Sequence, residues 1–190
     1  MEIQEMGNTF EKEYKMGLGH IEYNTQLHRT LPFKREPFND QASIADWKEM
    51  GFSQEHFTGA MFDMKHECPD WFNFEDFEEE FSGWLHLSWS FYKMTTGVVL
   101  PRHTDEFVRF KEMYEIPEGY VVGRALVMLE DWSPGHYLDL GEEAIVHWKA
   151  GDYGWWTEYG PHTAANIGTE DRYTLQLTGL IPEEFLNDSI

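Results

Sequence analysis

With a single cysteine in 190 residues, Cys68, the chain can close no intrachain disulfide and build no thiolate zinc cluster. A reducing cytoplasm is the compartment that such a chain suits. Basic residues are scarce as well: 14 Lys and Arg stand against 35 Asp and Glu, a formal net charge of -21. That balance repels nucleic acid and anionic lipid surfaces, and leaves a small molecule or a basic partner as compatible. No apolar run approaches the roughly 18 residues of a membrane span, so no membrane partner is expected. The opening MEIQEMGNTFEKEYKMG lacks a basic region followed by an apolar core, so no secretory signal is expected either. There is no G-x-S-x-G elbow, no Walker loop and no dinucleotide glycine fingerprint, which removes serine hydrolases and the common nucleotide-binding enzymes. Linkers, repeats and low-complexity tracts are also missing, so residues 1-190 are expected to form one domain.

What the chain does have is apolar and aromatic mass. Hydrophobic residues make up 41% and aromatics 16%, enough to bury a core without staples. Residues 1-83 read as a helical or irregular support. Within them Ser53 is a plausible N-cap, and Phe57, Met61 and Met64 follow at helical spacing, which predicts a helix over Ser53 to Glu67. The run Asp70 to Gly83 alternates aromatics with acids and reads as an amphipathic helix with a solvated acidic face.

From Trp84 the period becomes two. In WLHLSWSFYKM, one face carries Trp84, His86, Ser88, Ser90 and Tyr92, and the other Leu85, Leu87, Trp89 and Phe91. A turn at Thr95-Thr96-Gly97 followed by VVLP predicts a hairpin over Trp84 to Leu100. Further strands are expected at Tyr120 to Leu129, His136 to Leu140, Ala144 to Trp148, Tyr153 to Thr157 and Arg172 to Leu180, separated by Gly-containing turns. The fold class is therefore mainly β with a helical N-terminal part, an antiparallel sandwich or barrel over 84-181.

The chemistry gathers at strand ends. In GVVLPRHTD, His103 and Asp105 are two apart and share one face of extended chain. His162 follows the turn Tyr159-Gly-Pro, and Arg172 comes ten residues later. Two histidines and a carboxylate in this arrangement are the ingredients of a facial metal triad, whose open positions admit external donors. On the last strand Arg172, Thr174, Gln176 and Thr178 share a face that is costly to bury unless a ligand pairs with it. Arg172, a planar fork of permanent charge, suits a carboxylate. Tyr92 points the same way as His86, Ser88 and Ser90, toward the expected cavity. Arg124 lies mid-strand among Val122, Leu126 and Met128, and reads either as a second carboxylate clamp or as half of an internal ion pair. Arg102 and Arg109 read as surface charges, His86 as a hydrogen-bonded core histidine; His136 and His147 have no partner at ligand spacing, and His20, His28, His56 and His66 are assigned no role.

The ordered set His103-x-Asp105, His162, Arg172 and Thr174, in an all-β context, resembles the iron(II) and 2-oxoglutarate dependent oxygenases. The resemblance covers about Trp84 to Gly179 and implies a double-stranded β-helix, the jelly roll shared with cupins. GRALVMLEDWSPGHYLDL and HWKAGDYGWWTEYGPHTAANIG look similar to small phage-type oxygenases and, more distantly, to the aspartyl/asparaginyl β-hydroxylase group. A phage origin would place the activity in a host cytoplasm. Unlike β-hydroxylases that lack the carboxylate ligand, this chain has Asp105, and the same residue argues against halogenating relatives. The resemblance implies Fe(II) on His103, Asp105 and His162, and 2-oxoglutarate with its far carboxylate on Arg172 and Thr174. Tyr92 and Arg124 are further cosubstrate candidates. Dioxygen and a small-molecule or peptide substrate would complete the reaction, with succinate and carbon dioxide released and the substrate hydroxylated. Two other readings share the metal: a cupin-type isomerase or epimerase, and a non-catalytic metal-binding module. Arg172 separates them, because a structural site has no use for a cavity arginine.

Overall fold

The computed structural model describes residues 14-187, so most of the N-terminal stretch read for a leader lies outside the described residues. In chain order the elements are β1 (Met16–His20), a 3-10 turn (Leu27–Thr30), β2 (Lys34–Pro37), α1 (Gln41–Glu49), β3 (Thr58–Asp63), α2 (Glu75–Glu78) and β4 (Leu85–Met94). Then come β5 (Val99–His103), α3 (Val108–Met113), β6 (Tyr120–Met128), β7 (His136–Leu140), β8 (Glu143–Ile145), β9 (Asp152–Thr157), β10 (His162–Asn166), β11 (Arg172–Pro182) and α4 (Glu183–Asn187). Among the described residues, no helix is long and apolar enough to cross a membrane.

Two antiparallel sheets face each other. The larger has the order β1-β9-β6-β11-β4-β3-β2 and the smaller β5-β10-β7-β8. From β4 onward the chain shuttles between them, which is the winding of a double-stranded β-helix. Between the sheets lie Tyr92, Met94, Leu126, Met128 and Trp156 from the larger one, against Leu138, Leu140 and Ala164 from the smaller. Alternation sends the opposite set, Phe91, Ala125, Val127, Leu175 and Leu177, to the outer face of the larger sheet, where Phe72, Phe77, Phe81 and Ile21 cover it. Each covering aromatic, buried in full, contributes about 1.5–3 kcal/mol. The polar face of β11 thus points between the sheets, and its leucine face is roofed by the N-terminal segment.

Several expectations are corrected. The segment Ser53 to Glu67 is not helical: Thr58–Asp63 is a strand pairing with β2 and β4. Thr58, Gly59, Ala60, Met61 and Phe62 fit a pleated slot beside β4, and that pairing overrides a helical spacing carried by three residues. In all, three strands of the larger sheet come from the N-terminal part, so its helical content is minor. The acidic run forms only the single turn α2, because its aromatics are spent on the sheet. Nor is Trp84 to Leu100 a hairpin. β4 pairs with β11 and β3, while β5 pairs with β10, so the turn at Gly97 (φ 89°) carries the chain from one sheet to the other. Asn166, fully buried, fastens that crossing, donating from Nδ2 to the Met94 and Glu170 carbonyls at 2.8 Å each. The strand expected at Ala144 to Trp148 is the shorter β8, ending before His147 (φ 62°). The strand β10 is added, hidden in the sequence by its small residues.

Candidate metal centre

β5 and β10 are neighbours, and their pairing sets His103 directly opposite His162. Two residues beyond β5 the chain turns inward and brings Asp105 to the same place. One ligand atom from each of the three lies within 4.8 Å of the others. Both imidazoles are oriented by the backbone. His103 Nδ1 is 2.7 Å from the Pro101 carbonyl and His162 Nδ1 is 2.9 Å from that of Gly160. A carbonyl only accepts, so Nδ1 carries the proton on each ring and Nε2 presents a lone pair to the centre. Burial lowers the pKa of both rings, that of His162 to about 4, so each is neutral at physiological pH.

Asp105 is the charged member. Burial works to raise its pKa, but Arg124 first, then the two histidines and an indole N–H, outweigh that and hold it below the usual carboxylate range. Arg124 Nη1 donates to Asp105 Oδ2 at 3.0 Å, and Trp156 Nε1 donates to the same oxygen at 3.2 Å. His162 Nε2 is 3.7 Å from it, outside hydrogen-bond range. Two neutral imidazoles and one ionised carboxylate, with free lone pairs converging, fit a divalent first-row ion in a facial arrangement.

Arg172 opens β11, on the strand's polar face. It is 2% exposed and touches no carboxylate. Its Nη1 donates to the Tyr137 carbonyl at 2.9 Å, the Met94 and Met128 sulfurs lie at 3.5 and 3.9 Å, and the Trp148 ring lies 5.2 Å from Cζ. Its Nε has no partner at all. Burial pulls its pKa down to about 10, so it remains a cation. Thr174 is buried two residues on, and Tyr92, the cross-strand neighbour of Thr174, packs in the same inter-sheet core. Burial pushes the Tyr92 hydroxyl up to about 12, so it stays a donor. That hydroxyl fits because residue 59 is glycine: a Cβ there would sit 2.2 Å from it.

The sequence-derived set therefore falls into two groups, the triad and, on the inward faces of β11 and β4, Arg172 and Thr174 with Tyr92. Arg124 joins the triad through Asp105. His86 is not in the cavity: with φ 56° it leaves the strand alternation and stacks on Tyr114, ring centroids 4.5 Å apart. Arg102 pairs with Asp139 at 3.0 Å and is half exposed, consistent with a surface charge. Three contributors went unread in the sequence. Trp156 donates to Asp105, a role that its place in the pair Trp155-Trp156 does not announce. Phe38 and Trp47 meet the His103 ring edge-on, with centroids at 5.0 and 5.4 Å. Phe38 stands just before α1 and Trp47 within it, and neither has a spacing that ties it to a ligand.

The fold and this triad define a double-stranded β-helix protein with a candidate metal centre. No protein-family model matches the sequence, and no curated protein is significantly similar to it. Among solved structures, a prolyl-4-hydroxylase from Pseudomonas putida is similar over 88% of this chain and 93% of that one, at 13% identity and a TM-score of 0.52. An oxidoreductase of the 2OG-Fe(II) oxygenase family from Burkholderia pseudomallei aligns over 83% and 78%, at 11% identity and a TM-score of 0.49. The non-haem alpha-ketoglutarate dependent epimerase SnoN from nogalamycin biosynthesis aligns over 81% and 79%, at 14% identity and a TM-score of 0.49. The likeness is one of fold.

Proposed function

We propose that this protein is a non-haem iron(II) and 2-oxoglutarate dependent oxygenase that hydroxylates a small molecule or a peptidyl side chain in the cytoplasm. The observation that carries the reading is Arg172: a buried cation on the inward face of β11, with one N–H unpaired and no anion beside it. An uncompensated buried charge costs several kcal/mol. A dicarboxylate with one end at the triad and the other at Arg172 would relieve that cost, and a purely structural metal site would not need it.

In this reading His103, Asp105 and His162 hold iron(II), and Arg172 with Thr174 holds the far carboxylate of 2-oxoglutarate. The bound pair would supply dioxygen activation coupled to decarboxylation, with succinate and carbon dioxide as products. The chain's own work is placement. The Pro101 and Gly160 carbonyls fix both imidazole tautomers, so the ligand geometry is set before anything binds. Arg172 and Thr174 fix the direction of the cosubstrate by a charge-assisted, two-point contact. Met94, Leu126, Met128, Leu138 and Trp148 exclude water along the way, which strengthens each electrostatic contact. Tyr92 keeps its proton and can donate to an anion in the same space.

The test is anaerobic titration with Fe(II) and then 2-oxoglutarate, following the visible charge-transfer band of the chelate. The band should develop in the wild type, require far more 2-oxoglutarate in Arg172→Ala, and vanish in His162→Ala. Tight metal binding with no band would point to a metal enzyme that does not use this cosubstrate, and would sink the reading.

A further inference from the structure

Along α1 and its C-cap, Ser43, Asp46, Trp47 and Met50 stand at the three- and four-residue spacings that put side chains on one face of a helix. Asp40 pins the start of that face, accepting from the Ala42 N–H at 3.0 Å and from the Ser43 hydroxyl at 2.6 Å. The face forms one wall of a cleft of about 340 Å³. Such a volume is near the lower end for small-molecule sites. The other wall belongs to the candidate centre: His103 itself, Thr104 between His103 and Asp105, and Pro161 just before His162.

Two charged groups in these walls have unused capacity. The Asp46 carboxylate makes no hydrogen bond or ion pair among the described residues. Arg102 gives only Nη1 to Asp139, at 3.0 Å, so its Nε and Nη2 have no acceptor among the described residues. One open anion and one half-used donor fork thus line the same small space, with Trp47, Met50 and Pro161 as its apolar surface. With Asp139 set against Arg102, the local balance is negative, in a chain of net charge -21, so phosphate esters and polyanions are disfavoured. The interior of a peptide offers its main chain as neither cation nor anion. A free α-amino acid carries both, on one carbon.

We propose that this cleft binds a free, zwitterionic α-amino acid, with its carboxylate on Arg102 and its ammonium on Asp46. The planar fork of Arg102 suits a carboxylate, and both contacts are charge-assisted. Trp47, whose ring meets that of His103, and Pro161 are left for the amino acid's side chain. The proposal rests on the oxygenase reading in taking this amino acid as the substrate.

The experiment is calorimetric titration of the Co(II)-loaded full chain with the free L-amino acids, and then with the methyl ester and the N-acetyl derivative of the best binder. Each derivative should bind the wild type about 5- to 10-fold more weakly than the free amino acid, a loss between that of an exposed ion pair and that of a shielded charge-assisted hydrogen bond. Arg102→Gln and Asp46→Asn should each weaken the free amino acid by a similar factor. The effects should then cross: Arg102→Gln makes no difference to the methyl ester, and Asp46→Asn none to the N-acetyl form. Near-ultraviolet circular dichroism and Co(II) retention are the folding controls. Binding of no free L-amino acid at millimolar concentration overturns the proposal, and so does binding that neither variant weakens, as when an amino acid chelates the metal itself. The 2-oxoglutarate band of the Fe(II) protein is read separately. A band without amino-acid binding sinks this inference and leaves the oxygenase reading standing, whereas the crossed pattern without a band keeps the amino-acid site and sinks the oxygenase reading.

Discussion

His103 and His162 face each other across the β5–β10 pair, ring centroids 4.2 Å apart, each with Nδ1 tied to a backbone carbonyl two residues earlier in its own strand or turn. The same device used twice makes the rings rigid and their Nε2 atoms convergent. Removing either ring takes away one of the three candidate ligands and leaves a buried gap. His103→Ala and His162→Ala should each weaken divalent-metal binding by more than the about 10- to 100-fold that outer-shell losses cost. Metal retained after desalting, with near-ultraviolet circular dichroism as the folding control, reads the effect. Retention by His162→Ala at the wild-type level would remove that residue from the centre.

Trp47, 2% exposed on α1, meets the His103 ring edge-on, and its own ring lies 5.4 Å from that of Phe57. It supports one side of the imidazole whose Nε2 is turned toward the candidate centre. Trp47→Leu should cost about 2–4 kcal/mol through the cavity left behind. It should also reduce metal affinity a few-fold by freeing the His103 ring. If chemical denaturation shows the stability loss but calorimetry with Co(II) shows no change, the support is to the fold alone.

How much of this was legible beforehand depended on the kind of signal. His103 and Asp105 could be paired because two-residue spacing on extended chain puts side chains on one face. Arg172 could be singled out because a cation on the inward face of a strand needs a reason. The N-terminal strands were not legible, because a strand at the sheet margin such as Lys34–Pro37 has too few residues to show a period. Thr58–Asp63 was misread because Phe57, Met61 and Met64 mimic helical spacing, and only the neighbouring β4 decides otherwise. The Trp84 to Leu100 hairpin failed for a similar reason: the turn signal at Gly97 is real, but it does not say which sheet the next strand joins. His86 failed because a single residue at positive φ interrupts the alternation that placed it.

Glu130 ties the N-terminal segment to the end of β6 and gives the protein an acid-labile point. Its carboxylate meets His28 Nε2 at 2.8 Å and Arg29 Nη2 at 2.8 Å, while Tyr23 closes the far side of the buried His28 ring. Burial works to raise the Glu130 pKa, but the hydrogen bonds from His28 and Arg29 outweigh it and hold the group at about 2. An unfolded glutamate titrates near ~4.3. The folded value lies lower, so the contribution is complete above the unfolded pKa and is lost as pH falls toward the folded one. Glu130→Gln should therefore melt at a lower temperature than the wild type at neutral pH, with the gap closing between about pH 4.5 and about pH 2. Melting curves across that window check it, and a gap independent of pH would mean that shape rather than charge matters at this position.

Arg172 sets function against stability. Its guanidinium is buried with one carbonyl, two sulfurs and an indole ring for company, and its Nε is unpaired. Replacing an uncompensated buried ion by an apolar residue of similar length is often stabilising, by about 1–4 kcal/mol. Met94 and Met128 already make the surroundings soft and apolar, so Arg172→Met should pack without strain. The variant should melt higher than the ligand-free wild type, by roughly 2–4 °C for each kcal/mol gained at this chain length. Mn(II) alone should raise both proteins alike, because the triad is intact in each, and 2-oxoglutarate added to the Mn(II) proteins should then raise the wild type further and the variant much less, because ligand stabilises only what it binds. A variant that melts lower than the ligand-free wild type would mean that Tyr137, Trp148 and the two sulfurs already compensate the charge. The pull toward a carboxylate would then have to be sought elsewhere in the cavity.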